Sequence, residues 1–371
     1  MPSTRVRTLA LIAAIAGVVG LAGCTDDSGR GDDGSAAPRA SLKAPGGLAT
    51  GERAPVGTPR DVVTGLEAPW SVVLSGDTPL VSERDSGSVL EIRPDGSTRE
   101  VGVVDGLAAG GEAGLLGLAV RGDDLYIYST ADDGNRIQRY PLRGSAGGLS
   151  LGDPTTILDG LPSNTFHDGG RIAFGPDGML YASVGDAGVS ENAQDRDSLA
   201  GKILRMTPDG GVPSDNPFDG SLVYSLGHRN VQGLGWASDG TMFASEFGQD
   251  TWDELNVIRA GGDYGWPEVE GEGGGSRFID PVQQWSTDEA SPSGLAVVGD
   301  TVFIANLRGE VLRGIPVSDP SSSREYFDDD FGRLRTVLEG PDGTLWFVTN
   351  NTDGRGSPGA GDDRIVSVDL S

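Results

Sequence analysis

Two histidines are the residues best suited to acid–base chemistry in this chain of 371 residues. His167 lies in the segment FHDGGR at 166–171, where a β-strand is predicted to begin. A neutral imidazole can act as a general base near neutral pH. Asp186 follows the next predicted strand, and a carboxylate at that point could orient the imidazole. We therefore predict a catalytic His167–Asp186 pair. His228 stands beside Arg229, and because a neighbouring positive charge disfavours protonation it is predicted to be structural.

Four arginines occupy comparable positions beside predicted strands: Arg229, Arg308, Arg333 and Arg335. The chain has 55 acidic and 28 basic residues and a formal charge of −27, so a cluster of guanidinium groups would be unusual against this background. The guanidinium fork suits carboxylate or phosphate oxygens. If the fold gathers these side chains, they indicate an anionic ligand with several acceptor atoms. The alternative is that each arginine pairs with one of the abundant acids.

Composition excludes several classes of function. Binding to nucleic acid or to an anionic membrane requires clustered positive charge, which is not expected in so acidic a chain. A single cysteine rules out an intrachain disulfide framework. No glycine-rich loop opens a helix to hold a nucleotide, and no His/Cys group suggests a transition metal. Asp253 and Glu254, with Gly248 and the glycines at 261–262 nearby, could instead supply oxygen ligands to Ca²⁺.

Six copies of one unit predict the fold. In each copy a short strand leads through a tight polar turn to a more aromatic second strand, and a third strand follows. The second strands begin at residues 79, 125, 179, 241, 301 and 344. These repeats predict an all-β protein, a six-bladed β-propeller. A β-sandwich is the alternative, but it would not repeat the same turn at the same offset. The 60 glycines and 22 prolines argue against a helical bundle.

A propeller also predicts where the chemistry lies. The start of each inner strand and the end of each second strand meet on one face, around the central channel, and loops on a rigid scaffold commonly carry function. Unusual polar residues stand at those positions, whereas the opposite hairpins contain little beyond Gly, Asp, Pro and Ser. Those preceding first strands include Glu112, His167, Arg229, Asn230, Arg333 and Arg335; those following second strands include Asp186 and Arg308, with Gly248 beside them.

The first 60 residues are predicted to lie outside the propeller. Two arginines precede an apolar run at 9–21 that is too short to span a bilayer and resembles a signal-peptide core. The following LAGC resembles a bacterial lipobox, although an ordinary secretory signal with a chance cysteine is the alternative. We predict a lipoprotein signal peptide over 1–23, lipidation of Cys24, a disordered linker over 24–60 and the propeller over 61–371. The expected location is the outer face of the cytoplasmic membrane, held only by the lipid.

Six motifs occur in a fixed order along the chain: GEAGLLG at 111–117, HDGGR at 167–171, SLAGKILR at 198–205, GHRNVQG at 227–233, DELN at 253–256 and GDYGWP at 262–267. Together and in this order they resemble the soluble PQQ-dependent aldose sugar dehydrogenases, also called the glucose/sorbosone dehydrogenase family. The similarity covers roughly residues 66–369. Members of the family are six-bladed propellers, which agrees with the repeat count.

The resemblance implies a cofactor, a substrate and roles for particular residues. The anion would be pyrroloquinoline quinone (PQQ), and the substrate an aldose oxidised at C1 to the lactone. His167 would take the C1 hydroxyl proton while hydride passes to the quinone, Asp186 would orient His167, and Arg229 would stabilise developing negative charge. The resemblance further implies cofactor contacts from Glu112, Arg229, Asn230, Arg308, Arg333 and Arg335, and Ca²⁺ ligands from Gly248, Gln249, Glu254 and Tyr264.

Two departures from the family pattern leave an alternative open. Gln249 stands where some members have proline, and Phe247 stands where some have a polar residue. A cell-surface propeller that binds a ligand or a protein and has lost its redox chemistry would tolerate both changes. A calcium-dependent lactonase is a third hypothesis, but it requires a channel lined by acids and amides rather than by arginines. For the dehydrogenase, an electron acceptor is expected that the sequence does not identify.

Overall fold

Six β-sheets follow one another along the chain as the blades of a propeller, in a computed structural model that describes residues 41–42 and 47–371. The prediction of an all-β, six-bladed propeller is confirmed. Blade one contains β2 (Pro69–Ser75), β3 (Thr78–Glu83), β4 (Ser88–Ile92) and β5 (Thr98–Val103). Blade two contains β6 (Leu115–Arg121), β7 (Asp124–Ala131), β8 (Gly134–Arg143), β9 (Ser150–Leu151) and β10 (Thr155–Leu161). Blade three contains β11 (Ile172–Phe174), β12 (Leu180–Val184), β13 (Lys202–Met206) and β14 (Val223–Leu226), with a 3₁₀ helix at Ser190–Ala193.

The other three blades repeat the same four-stranded antiparallel arrangement. Blade four contains β15 (Val231–Trp236), β16 (Met242–Glu246), β17 (Trp252–Ile258) and β18 (Gln283–Ser286). Blade five contains β19 (Pro292–Val298), β20 (Thr301–Asn306), β21 (Leu312–Pro316) and β22 (Arg324–Tyr326). Blade six contains β23 (Leu334–Glu339), β24 (Leu345–Thr349), β25 (Ile365–Leu370) and, from the other end of the chain, β1 (Pro55–Val63).

The sixth blade corrects the predicted domain boundary. β1 begins at Pro55, inside the predicted linker over 24–60, and pairs antiparallel with β25 from Pro55 opposite Leu370 to Val63 opposite Ile365. Pairing the first strand with the last closes the ring and covers an edge that would otherwise be open. The boundary predicted from composition was wrong because an outer strand with a solvent-facing side needs few large apolar residues. The predicted signal peptide, Cys24 and most of the linker lie outside the described residues.

Apolar side chains fill the seams between neighbouring blades. At the seam of blades five and six, Phe327, Phe331 and Phe347 pack with ring centroids 4.8–5.4 Å apart. At the seam of blades two and three, Tyr126 and Phe174 meet edge to face at 5.0 Å. Each blade therefore buries both of its faces against its neighbours, which makes the ring a rigid support for side chains at its mouth.

The inner strands contact one another around the channel, which polar side chains fill. An added Cβ at Gly117 would collide with the carbonyl of Gly170, so glycine permits the close approach of two inner strands. In the channel, Arg171 Cζ lies 4.1 Å from the centre of the Trp70 ring, and Arg171 Nε donates to the Gln232 carbonyl at 2.8 Å.

Across the described part of the chain, no helix has the length and hydropathy of a membrane span.

Candidate active site

His167 and Asp186 form the predicted pair. His167 Nδ1 lies 2.7 Å from Asp186 Oδ1, and since a carboxylate accepts, Nδ1 carries the proton. His167 Nε2 then presents its lone pair and has no hydrogen-bond partner among the residues that the structure describes. The imidazole is 14% exposed and the Asp186 side chain 2%. The geometry is that of a general base oriented by a buried carboxylate.

Three N–H groups hold the Asp186 carboxylate in place. Besides His167, the backbone N–H of Gly188 donates to Oδ1 at 2.8 Å and the indole Nε1 of Trp266 donates to Oδ2 at 2.9 Å. Burial alone would raise the pKa of Asp186, but these hydrogen bonds and the adjacent imidazole outweigh burial and lower it. Asp186 is therefore an anion at neutral pH. Sequence reasoning missed Trp266, although it lies in the GDYGWP motif.

The backbone of His167 adopts a conformation that is uncommon for a residue with a side chain. Its φ is +59°, in the left-handed region. The Glu112 carboxylate Oε2, from the segment before β6, accepts the His167 backbone N–H at 3.0 Å. At Gly185, an added Cβ would collide with the His167 carbonyl, so the turn before Asp186 requires glycine. Neighbouring segments thus fix a strained backbone that turns the imidazole toward the mouth.

Arg229 and Asn230 lie beside the pair, as predicted. Asn230 is fully buried; its Nδ2 donates to Glu112 Oε2 at 3.2 Å and its Oδ1 accepts the Gly169 N–H at 3.0 Å. Arg229 Nη1 donates to the Phe247 carbonyl at 3.2 Å, while its buried Nε has no partner among the described residues. Burial lowers the pKa of Arg229, and the nearby carboxylates, Asp186 first among them, oppose that shift. A guanidinium with an unused buried donor points to a ligand acceptor.

His228 supports Arg229 instead of facing the mouth. It is fully buried between Ser225 Oγ, 2.8 Å from Nε2, and Glu246 Oε2, 2.8 Å from Nδ1. The other oxygen of Glu246 accepts the backbone N–H of Arg229. The ring also stacks on Tyr264 at 4.8 Å. The structural role predicted for His228 is confirmed, and the chain Ser225–His228–Glu246 holds the backbone of Arg229.

Arg333 and Arg335 meet at Asp353 on the side of blade six. Arg333 Nη2 lies 3.0 Å and Arg335 Nη2 3.6 Å from Asp353 Oδ2. Burial would raise the pKa of Asp353, but the two guanidinium groups outweigh burial and lower it. Arg335 also donates from Nε to Asn350 and from Nη1 to Gln232, both at 2.9 Å, and burial lowers its pKa to about 9. Because most donors of Arg335 bond to other residues of the channel, Arg335 supports the site from inside the channel.

Arg333 keeps a buried donor for a ligand. Within residues 41–42 and 47–371, its Nε has no hydrogen-bond partner, like the Nε of Arg229. Arg308 does not join this group: it pairs with Asp288 at 2.6 Å, and its side chain is 60% exposed. The prediction that four arginines gather in one cluster is therefore wrong for Arg308. Arg308 follows β20 at the rim of blade five, where an exposed acid can pair with it and neither charge has to be buried.

The predicted calcium residues lie together, but their side chains do not form a metal centre. Glu254 and Tyr264 line a cavity of about 10 Å³ that Gly248 also borders, with Glu246 and Glu270. Burial, followed by the neighbouring Glu246, raises the pKa of Glu254 to about 8. In the described ranges, no three His, Cys, Asp or Glu side chains are arranged to hold a metal. Gln249 is exposed, and its backbone N–H donates to Glu270 at 2.6 Å.

Two further features of the structure contain none of the residues predicted for the site. Asp168, next to His167, is buried. Its Oδ1 accepts hydrogen bonds from Asn135 Nδ2 at 3.0 Å and from the Asn164 backbone N–H at 3.1 Å, and its Oδ2 has no partner in the part of the chain that the structure describes. Burial raises the pKa of Asp168 to about 6.

A groove of about 600 Å³ borders Trp346 on the hairpin side of blades six and one. It includes none of the predicted catalytic or binding side chains, so the polar mouth is the better candidate site.

The comparisons with known proteins agree with this geometry. A family model described as Glucose / Sorbosone dehydrogenase matches residues 66–357. The PQQ-bound aldose sugar dehydrogenase from Streptomyces coelicolor has a similar structure, with a TM-score of 0.80, 48% sequence identity, and coverage of 86% of this chain and 100% of that one. Quinoprotein glucose dehydrogenase B from Acinetobacter calcoaceticus is 34% identical over 251 residues, 57% of this chain and 52% of that protein.

A second curated relative gives the same result over a similar length. Aldose sugar dehydrogenase YliI from Escherichia coli is 29% identical over 238 residues, 54% of this chain and 62% of that protein. The matched segment thus spans a little over half the length of each of these two enzymes. The family model covers most of the chain, and its match includes the His167–Asp186 pair as well as Arg229, Asn230 and the arginines of blade six. The chain belongs to the glucose/sorbosone dehydrogenase family.

Proposed function

We propose that this protein is a quinone-dependent aldose dehydrogenase that oxidises the C1 hydroxyl of an aldose to the lactone. The observation that carries the proposal is the buried Asp186 carboxylate 2.7 Å from His167 Nδ1, with the Arg229 guanidinium beside the pair. A base with a free Nε2 can accept the hydroxyl proton, and a neighbouring cation favours negative charge on an acceptor. Together these groups suit hydride removal from an alcohol.

The arginines fit a polyanionic cofactor such as PQQ, which the Streptomyces relative binds. The Nε atoms of Arg229 and Arg333 are both buried, and neither has a hydrogen-bond partner in the described ranges of the chain. A buried donor without an acceptor is costly, so each is expected to meet an acceptor in the loaded protein. Arg229 would lie at the quinone oxygens with Asn230, and Arg333 would hold a cofactor carboxylate. When bound, the quinone supplies the acceptor of the hydride.

The protein's own residues perform the remaining steps. Asp186 keeps the proton of His167 on Nδ1, so that Nε2 accepts the proton of the sugar hydroxyl. The imidazolium then lies against a buried carboxylate, which stabilises its charge. Glu112 fixes the backbone of His167 and the amide of Asn230 through one oxygen, Oε2. The Glu112 carboxylate therefore supports both the base, His167, and the Asn230 amide that is proposed to contact the cofactor.

Calcium belongs to the proposal only as an ion bound chiefly by backbone carbonyls near Gly248 and Tyr264. Glu246 and Glu270 border the same cavity, and negative charge on their carboxylates would favour a cation there. No proton or hydride step depends on it. Loss of quinone affinity after treatment with a calcium chelator, and its recovery with CaCl₂ but not MgCl₂, is the expected result.

Titration of the purified protein with PQQ tests the proposal directly. Absorbance should report saturable binding, and dye reduction should follow when an aldose is added. His167→Ala should keep the quinone and lose about 10²–10⁴-fold in kcat. Arg308→Ala is the matched control, since its side chain is exposed, and should retain activity. Failure to bind quinone, or turnover that is unaffected in His167→Ala, would overturn the proposal.

The two other hypotheses fit the structure less well. A binding protein without redox activity has no need of a buried, correctly oriented His–Asp pair, and its ligand affinity would not depend on His167. A lactonase requires a channel of acids and amides, whereas Arg171 and Arg335 occupy this channel, 4.1 and 5.9 Å from the ring of Trp70.

The location is a separate proposal that rests on the sequence around Cys24. We propose that the protein is exported, lipidated at Cys24 and anchored at the outer face of the cytoplasmic membrane. The test is metabolic labelling with a fatty-acid analogue in a bacterial host. Label should be incorporated into the full chain and lost in Cys24→Ala, with the protein released in soluble form. Equal labelling of both proteins would refute the anchor.

A further inference from the structure

The indole of Trp266 touches both halves of the site. Its Nε1 donates to Asp186 Oδ2 at 2.9 Å, on the side of the base. Its ring lies 5.6 Å from the Cζ of Arg229, on the side where the cofactor is proposed to bind. In the described part of the chain, the indole N–H is the only hydrogen-bond donor to Oδ2. Removing that N–H would therefore leave one oxygen of a buried anion without a partner.

The backbone of Trp266 is fixed independently of the catalytic pair. Its N–H donates to the Gly227 carbonyl at 3.0 Å, and its own carbonyl accepts Gln194 Nε2 at 2.9 Å. The same Gln194 amide donates to Asp263 Oδ1 at 2.8 Å. Trp266 lies in the long connection between β17 and β18, whereas Gln194 follows the 3₁₀ helix of blade three. Two separate segments thus hold the backbone of Trp266 beside the site.

We propose that Trp266 is a positioning residue, which holds Asp186 in the orientation that directs the His167 proton to Nδ1 and supports one face of Arg229. As a statement about catalysis this rests on the proposed function. As a statement about the carboxylate it concerns the protein alone and can be tested without cofactor or substrate. Since Trp266 acts through Asp186 and Arg229, it is expected to have no contact with the sugar's reacting atoms.

Removing the indole N–H should change the titration of the pair. The hydrogen bond stabilises the carboxylate anion, so without it Asp186 holds a proton more readily and also attracts a protonated imidazole more strongly. Both titration steps of the coupled pair should then move to higher pH. The other charged groups that face the pair are Glu112, Asp168 and Arg229, which the substitution leaves in place.

Trp266→Phe tests this, because it keeps an aromatic ring beside Arg229 and removes only the N–H. The protein has two histidines, so ¹⁵N-histidine labelling gives a simple spectrum, and a His167→Gln variant assigns the signals. In the cofactor-free protein, the titration read at the His167 ring should shift upward by about half a unit to one unit. Trp236→Phe is the matched control, since Trp236 packs on Tyr181 away from the mouth, and should leave the titration unchanged.

The outcomes separate this inference from the proposed function. An unchanged or lowered titration in folded Trp266→Phe overturns the role of Trp266, whatever the enzyme activity. An upward shift in a protein that never reduces dye supports the role of Trp266 and counts against the dehydrogenase. If Trp266→Phe does not fold, site-specific replacement by β-(3-benzothienyl)alanine removes the same N–H at nearly constant ring size, and the same shift is expected.

Discussion

Asp186→Asn should disable the base while preserving the shape of the site. In the wild type, Oδ1 accepts from His167 and Gly188, and Oδ2 accepts from Trp266. An asparagine has one acceptor and one donor group, so it cannot satisfy all three N–H groups. If the asparagine oxygen faces His167, its NH₂ group faces the indole N–H of Trp266, so that two donors meet and no hydrogen bond forms. With its oxygen toward Trp266, its NH₂ opposes Gly188 and forces the His167 proton onto Nε2, where it blocks the base.

The size of the effect follows from the bonds that are lost. A hydrogen bond to a charged group contributes about 1.5–3 kcal/mol, and one or two such bonds to the carboxylate are lost in either orientation, together with its attraction for the imidazolium. A loss of about 3–6 kcal/mol in the transition state corresponds to roughly 10²–10⁴ in kcat. Quinone affinity should change by less than about threefold, because the donors of Arg333 are untouched.

Dye reduction by the quinone-loaded variant, at saturating aldose and across pH 5–9, measures this effect. Binding of quinone is followed separately by absorbance, so that a loss of cofactor is not mistaken for a loss of base. His167→Ala is the reference, and combining the two substitutions should cost little more than the larger one, since both remove the same base. Activity within tenfold of the wild type in quinone-loaded Asp186→Asn would refute the assignment of Asp186.

Three further predictions address other parts of the molecule. Burial raises the pKa of Asp168 to about 6 from an ordinary value of 3.8; the folded state therefore binds this proton more tightly, and the contribution of Asp168 to stability should fall as pH rises from about 4 to about 6. Because an asparagine side chain stays neutral at every pH, the effect of Asp168→Asn on the free energy of unfolding should be more favourable at pH 7 than at pH 4, by up to about 3 kcal/mol in urea unfolding; equal effects at both pH values would contradict this. Arg333→Ala should weaken quinone binding by about 10–100-fold and Arg308→Ala by less than about threefold in the same titration, and similar losses would contradict the different burial of the two side chains. A chain starting at residue 61 lacks the first six residues of β1 and should unfold at lower temperature than one starting at residue 41, which keeps β1 together with the Leu42–Gly57 pairing and the contacts of residues 51–53 with blade five; equal melting temperatures would show that β1 is dispensable.

Repetition explains why the fold was predictable from the sequence. Each blade repeats a strand, a Gly/Asp turn and a more aromatic strand, so local signals recur in register and need no long-range information. The same regularity placed His167 and Asp186 at the mouth, because both flank strands of one blade. Arg229, Asn230 and Arg333 followed from the same rule. The prediction was accurate where a residue's position along a strand determines its position in space.

Long-range contacts explain what the sequence could not supply. β1 pairs with β25 across the whole chain, and its composition is that of a linker until that pairing is known. Trp266 reaches Asp186 from a segment 80 residues away, in a connection with no strand of its own. Arg308 stands at the expected position, but its exposed partner Asp288 keeps it at the rim. Position predicts which face a residue is on, whereas its partners determine whether it takes part in the site.

Closure of the ring connects these long-range contacts to the site. Arg84 of blade one donates from Nη2 to the Asp353 carbonyl at 3.3 Å, and Asp353 holds Arg333 and Arg335. Asp353 lies in the loop between β24 and β25, and β25 is the strand that β1 covers. A blade six without β1 would free β25 and loosen that loop. Arg333, which is proposed to bind the cofactor, and Arg335, which supports the site, therefore depend on a strand at the opposite end of the chain, and truncation into β1 should weaken quinone binding before it abolishes folding.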